Sequence, residues 1–279
     1  MDEREFKQVS RAVWEAMAPG WVARHAYFEE IARPVTVRML ERLDPSPGEE
    51  ILDLAAGTGI VGFAAAAMVG PEGKVIVSDF AEAMVAAATR RAGELRLDNV
   101  ECRVLDAEAL DLPDGCVDGV ACRWGYMLMA DPGAALRETR RVLREGGRVA
   151  CAVFSGPERN PWAALPARIL VECGHMPPPK PGDPGILALA DRDRLRGLFT
   201  TAGFGGPVIE EVDFVVRADD VDDYWNLLSH AAGAIAMVLN RLDADERDRV
   251  RTRIAGAIGR FSRDGRIAIP AQSLVVSAS

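Results

Sequence analysis

Short apolar runs alternate with longer amphipathic stretches through the middle of the chain. Strands are predicted at Glu50–Leu54, Lys74–Ser78, Val100–Val104, Cys116–Cys122 and Arg148–Phe154. Helices are predicted between them at Gly59–Val69, Ala81–Leu95 and Pro132–Leu143, with turns at Gly70-Pro71-Glu72-Gly73 and Gly146-Gly147. Apolar runs such as Val75-Ile76-Val77 suit central strands covered on both sides. Strand and helix alternating at this interval mean right-handed βαβ units, hence an α/β fold. The expectation is a Rossmann-like, mostly parallel seven-stranded sheet with helices on both faces.

The flanks read differently. Residues 4–32 pattern as one or two amphipathic helices carrying Trp14, Met17, Trp21 and Tyr27. From Pro34 a further helix, Val35–Leu43, runs into the stop signal Asp44-Pro45-Ser46-Pro47-Gly48. Residues 155–189 are rich in proline, with a helix predicted at Trp162–Cys173. A helix at Asp191–Ala202 ends at Gly203 and precedes a strand at Val208–Val216. Helices around Val221–Leu239 and Ala244–Phe261 lead to a last strand near Ile267–Val276. The chain reads as a single domain over 1–279. Residues 1–45 form an N-terminal helical cap, 46–155 a ligand-binding core, and 156–190 and 217–262 lid insertions.

Composition narrows the function. The 279 residues are 49% hydrophobic and 27% charged, with a formal net charge of −9. An acidic surface repels phosphate backbones, so a nucleic-acid partner is not expected. The arginines near 140 and 250 are interleaved with acids and read as solvated helix faces. Cys102, Cys116, Cys122, Cys151 and Cys173 contain no C-x-x-C pair, so no metal site is expected and free thiols suit a reducing cytoplasm. The charged N-terminus lacks an apolar h-region, and no apolar stretch is long enough to span a bilayer, so no membrane association is expected.

The chemistry concentrates where strands end. Ile51–Gly59 is a strand running into a glycine turn and then a helix, a place where free N–H groups attract a ligand. Gly57, Gly59 and Gly62 form a literal G-x-G-x-x-G, and Asp79 lies 20 residues beyond Gly59, placed to accept from ribose hydroxyls. Those features alone do not separate a dinucleotide from S-adenosylmethionine (SAM). Three others do. A carboxylate at Asp53 is unwelcome beside a pyrophosphate but can face an ammonium, directly or through water. Asp106, followed by Ala107-Glu108, can accept from an adenine amino group. Arg123-Trp124-Gly125-Tyr126-Met127 follows the fourth strand, at the edge where an open α/β sheet binds its ligand.

The strings LDLAAGTG (52–59), VSDFAEAM (77–84), LDAEALDLPDG (105–115) and RETRRVLREGGRVA (137–150) together resemble the class I SAM-dependent methyltransferases. The similarity covers residues 50 to about 162 and is to the group containing the ubiquinone/menaquinone-biosynthesis C-methyltransferases. The resemblance implies SAM as cofactor, S-adenosylhomocysteine as product and a small-molecule acceptor methylated on C, N or O. It places Asp53, Ala55, Gly57 and Gly59 around the methionine part, Asp79 on the ribose and Met84 against the adenine, with Phe80 also among the cofactor-binding residues. Asp106 and Ala107 fall at the adenine edge and Arg123 under the methionine tail. Two departures stand out. Ala55 replaces the usual first glycine of the loop, and Ala18-Pro19-Gly20-Trp21 stands where quinone-modifying members often carry a Tyr-Asp pair. That second change puts quinone-precursor chemistry in doubt.

Plainer readings stand beside these. Asp53 fits a helix cap, Asp79 and Asp106 fit turns, Met84 fits the core and Arg123 a surface ion pair. His25, Tyr126 and His230 are the candidates to orient or deprotonate an acceptor, with solvent or core roles as alternatives; His175 reads as solvent-exposed. Trp21, Trp124, Trp162 and Trp225 are candidates for an acceptor pocket, or for lid packing. Two further functions stay open: an NAD(P)-binding oxidoreductase, for which a Tyr-x-x-x-Lys pair is missing, and a non-catalytic SAM-binding subunit.

Overall fold

The structure is a computed structural model and describes residues 2–180 and 182–279. Met1 and Pro181, the latter within the proline-rich stretch, lie outside the described residues.

Five parallel strands form the core: β1 (Glu50–Leu54), β2 (Lys74–Asp79), β3 (Val100–Val104), β4 (Val117–Arg123) and β5 (Leu143–Phe154). Beyond β5 lie β6 (Val208–Ala218), the two-residue β7 (Ser262–Arg263) and β8 (Arg266–Ala278). The order is β3-β2-β1-β4-β5-β8-β6, with β8 antiparallel to both β5 and β6 and β7 paired to β8. This is the mostly parallel sheet expected, closed on one side by an antiparallel pair. The strand order reverses between β1 and β4. Parallel connections leave in opposite directions there, opening a crevice at the strands' carboxyl ends.

Helices α3 (Ile60–Val69), α4 (Glu82–Leu95) and α5 (Pro132–Val142) make the crossovers, and α7 (Arg192–Thr201) packs beside α5. The central strands are buried nearly throughout, which is why their sequences are continuous apolar runs. Asp131 caps α5 by accepting from the Ala134 N–H at 3.0 Å, and Pro132 sits in its first turn.

Two differences from the sequence reading have clear causes. The helix expected to start at Pro34 begins nine residues earlier: α1 (Glu3–Ala23) and α2 (His25–Leu43) are continuous through Pro19 and Pro34. Pro34 lies on the exposed face of α2, so the carbonyl it leaves unbonded faces water. The stretch expected around Val221–Leu239 is two helices, α8 (Val221–Ala231) and α9 (Ala234–Arg241), separated at Gly233 with a φ of 54°. Helices α6 (Pro161–Glu172) and α10 (Ala244–Ile258) pack on one another, and α1 packs on α4 and α8, roofing the crevice.

Candidate active site

A single cavity of about 320 Å³ occupies that crevice, within the size range of small-molecule sites. Its wall is drawn from the ends of β1, β2, β4 and β5, from the loop after β3, from α1 and α2, and from β6 and α8. Of the expected cofactor residues, Ala55, Gly57, Asp79, Phe80, Met84, Asp106, Ala107 and Arg123 line it.

The loop after β1 is held by carboxylates reaching from beneath. Ala55 has a φ of 50°, Gly57 of 57° and Gly59 of 88°, a run of left-handed residues that turns the backbone sharply. Asp79, at the end of β2, accepts from the Gly57 N–H at 2.9 Å and from the Ala81 N–H at 3.0 Å. Burial pushes its pKa up to about 6, with these amides pulling the other way. Asp79 therefore shapes the loop and remains 8% exposed, toward the cavity.

Asp53 is placed differently from the expectation. It is fully buried, off the cavity wall, and accepts from the Gly62 N–H at 2.7 Å through Oδ2. Its Oδ1 has no hydrogen-bond partner among the described residues. Burial raises its pKa to about 7, against the pull of the Gly62 amide and the Arg123 charge. Direct contact with a ligand is not available to it; its reach is through the loop. Gly62 is required for this packing, because a Cβ there would lie 2.5 Å from Val77 Cγ2 and 3.1 Å from Asp53 Oδ2. Gly59 likewise starts α3 from behind the wall.

Arg123 is no surface ion-pair residue. It lines the cavity, donates to Thr36 Oγ1 at 2.6 Å and lies over the Trp124 ring at 5.0 Å. Burial draws its pKa down to about 10, so it stays charged at neutral pH. No carboxylate pairs with it among the described residues. A half-buried cation without an ion-pair partner can seat an anion.

In the loop after β3, Asp106 is already engaged. Its Oδ2 accepts from Lys7 Nζ at 3.0 Å and its Oδ1 from the Glu108 N–H at 2.9 Å, while Lys7 also meets Glu108 at 3.1 Å. Lys7 and Glu15 on α1 were not singled out by the sequence reading. Glu15 accepts from the Glu82 and Ala83 N–H groups at 2.6 and 2.9 Å, capping α4 from another helix. The one available signal was Ala81 at the N-cap, a residue that cannot cap for itself.

The three candidate bases do not reach the cavity, which corrects the expectation for each. Tyr126 is buried in the core, sharing a 2.7 Å hydrogen bond with Thr139 Oγ1, and burial raises its pKa. His230 is exposed and bonds the Asn226 carbonyl of its own helix at 2.9 Å. His25 sits behind the glycine loop, 3.1 Å from Thr58 Oγ1, with its pKa lowered by burial. His175 is partly buried against Glu246 at 3.2 Å rather than solvent-exposed.

Of the tryptophans, Trp21, Trp124 and Trp162 line the cavity, and Trp225 packs against the core away from it. Trp124 stacks on Phe154 at 4.8 Å and on Phe214 at 5.7 Å, Trp162 lies 5.3 Å from Phe154, and Trp21 stacks on Phe28 at 4.1 Å. Trp124 carries a φ of 61°, an uncommon conformation fixed by its N–H bond to the Ala152 carbonyl at 2.7 Å and its indole bond to Ser273 Oγ at 2.9 Å.

An acidic, ribose-ready strand end, an apolar slot at Phe80 and Met84, and an unpaired arginine fit a nucleoside that carries an amino acid. Such a set is what the sequence resemblance to the class I SAM-dependent methyltransferases implies. Comparison with known proteins agrees. Residues 32–170 match the model of the ubiE/COQ5 methyltransferase family. The chain is 38% identical over 130 residues to the ubiquinone/menaquinone biosynthesis C-methyltransferase UbiE of Caulobacter vibrioides, covering 44% of this chain and 50% of that protein. It is 38% identical over 144 residues to the nocamycin O-methyltransferase of Saccharothrix syringae, covering half of each. The chain thus spans about half the length of the curated relatives it matches. Solved structures share its fold: a SAM-dependent methyltransferase from Aquifex aeolicus (TM-score 0.52, 21% identity, 70% of this chain and 92% of that one) and the YcgJ protein of Bacillus subtilis (0.57, 19%, 87% and 96%). Residues 32–170, just under half of the chain, are thus similar to the ubiE/COQ5 methyltransferase family.

Proposed function

We propose that this protein transfers the methyl group of SAM to a small, largely apolar molecule. One observation carries the reading: one cavity is lined both by Asp79, Asp106 and Arg123 and by the rings of Trp21, Trp124 and Trp162. Asp79 would accept from the ribose hydroxyls, Arg123 would hold the methionine carboxylate, and Phe80 and Met84 would flank the purine. Bound there, SAM supplies an already activated sulfonium methyl. The chain's own contribution is then placement and dryness. The roof of α1 excludes water, and the aromatic wall fixes how an acceptor enters, so that the reacting atoms meet in line. Asp106, tied to Lys7, would meet the purine edge through its remaining lone pairs and the neighbouring Ala107 backbone. An oxidoreductase role is disfavoured because no Tyr-x-x-x-Lys pair occurs anywhere in the sequence.

No helix among the described residues is long and apolar enough to cross a membrane. We take the acceptor to be a small molecule that reaches the cavity from solution. The test is mass-spectrometric detection of S-adenosylhomocysteine formed from SAM in the presence of fractionated small-molecule extract. Turnover with the wild type and at least tenfold less with Asp79→Asn supports the reading. Equal rates in the two proteins would overturn it.

A further inference from the structure

His25 stands at the joint between the two N-terminal helices, where α1 ends at Ala23 and α2 begins. On one side the joint is fixed to α8. Arg24 pairs with Asp223 at 2.6 Å. The α1 backbone at Gly20 also runs so close to α8 that a Cβ there would lie 2.3 Å from the His230 carbonyl oxygen. A side chain carried on backbone held this firmly can hold something else in turn.

On its other side the joint meets the glycine loop. His25 Nδ1 lies 3.1 Å from Thr58 Oγ1, across 33 residues of sequence. Glu29 faces the other ring nitrogen at 3.9 Å, which suits a proton on Nε2 and leaves Nδ1 to accept from the Thr58 hydroxyl. Burial and the charges of Arg91 and Arg123 favour the neutral ring, against the pull of Glu29 and Glu94. Thr58 is 3% exposed, and among the described residues this is the one hydrogen bond of its hydroxyl.

Thr58 belongs to a turn that makes part of the cavity wall. Ala55, Ala56 and Gly57 line the cavity, and Ala55, Gly57 and Gly59 all have left-handed φ values. Glycines accept many backbone conformations and an alanine resists this one, so the turn's shape has to be imposed by its ties. Two of those ties come from β2: Asp79 accepts from the Gly57 N–H, and the Ser78 carbonyl accepts from the Ala56 N–H at 2.9 Å. The tie at Thr58 comes from α2.

We propose that His25 is a positioning residue for the cofactor: by accepting from Thr58 it holds the Ala55–Gly59 turn in the shape that receives the amino-acid part of SAM. This rests on the methyl-transfer reading and adds a residue to that same site. His25 touches neither cofactor nor acceptor. Without its bond the turn samples other shapes, and the apparent affinity falls with the fraction of molecules that remain competent to bind. One hydrogen bond of ordinary strength is enough to change that fraction about fivefold.

The experiment is calorimetric titration of the full chain with S-adenosylhomocysteine. His25→Leu and Thr58→Val each delete one partner and weaken binding about fivefold. The double variant is also weakened about fivefold, because all three proteins lack the same bond. His25→Asn, which offers an oxygen near the place of Nδ1, and Thr58→Ser, which keeps the hydroxyl, bind within about twofold of the wild type. A role in packing alone predicts the reverse order at Thr58, since Ser removes a methyl group while Val keeps the size. The Thr58 pair decides the question even where His25→Leu fails to fold. Wild-type affinity in Thr58→Val, weaker binding by Thr58→Ser than by Thr58→Val, or a loss of about 25-fold in the double variant overturns the proposal. If S-adenosylhomocysteine does not bind the wild type, the methyl-transfer reading falls; if it binds and the variants bind it equally well, only the role of His25 falls.

Discussion

Replacing Asp53 with Asn should flatten the pH dependence of stability. Asp53 is fully buried, and its pKa stands at about 7 because burial disfavours the charged form. In the unfolded chain an aspartate titrates near 3.9, so the folded value is raised by roughly three units. A raised carboxylate favours the folded state while protonated. That contribution is intact below the unfolded pKa and is lost as pH climbs through the folded one. The full loss for roughly three units is about 4 kcal/mol, of which about 2 to 3 kcal/mol falls between pH 5 and pH 8. Asn keeps an oxygen for the Gly62 N–H and does not ionise. Urea unfolding of both proteins at pH 5 and pH 8 measures this directly, provided the slope with denaturant is unchanged. Asp79, also raised by burial, titrates in both proteins, so most of its contribution drops out of the comparison. Wild type should lose about 2 kcal/mol more than Asp53→Asn over that interval. Parallel losses within about 0.5 kcal/mol would show that Asp53 is not the buried acid described.

Three other outcomes follow from the same geometry. Ala55→Gly should leave the melting temperature nearly unchanged, since relief at a φ of 50° offsets added chain entropy, whereas Ala55→Val should cost about 2 kcal/mol or more by thermal denaturation. Arg123→Gln removes the half-buried cation and should weaken S-adenosylhomocysteine at least tenfold by calorimetry, with the fold retained by circular dichroism. Lys7→Ala cuts the tie to Asp106 and Glu108; it should change stability by no more than about 1 kcal/mol yet expose α1 to faster limited proteolysis.

The alternating core was legible because its signals are local. Buried parallel strands are apolar runs, turns carry glycine, and α5 announces itself with Asp131-Pro132. The glycine turn and the acid at the end of β2 could be placed from spacing alone. Depth within the site could not. Nothing in the sequence separates Asp53, sealed behind Gly62, from Asp79, which reaches the cavity; only the stacking of α3 on β1 and β2 decides. Tyr126, three residues past Arg123, opens a short 3₁₀ turn and is buried against Thr139, a neighbour 13 residues on that its local sequence does not reveal. His230 and Trp225 share α8 with Leu227, which does line the cavity; which face of a short helix turns inward depends on its neighbours in three dimensions. Lys7 and Glu15 act across long sequence separations, and such contacts have no local signature.

In the proposed function one cavity receives the nucleoside and the amino acid of SAM together. Isothermal titration of the purified chain with S-adenosylhomocysteine, and separately with NAD, tests it most directly. The expected result is saturable one-to-one binding of S-adenosylhomocysteine, abolished by Asp79→Ala, and no heat from NAD. Binding of NAD with none of S-adenosylhomocysteine would contradict it.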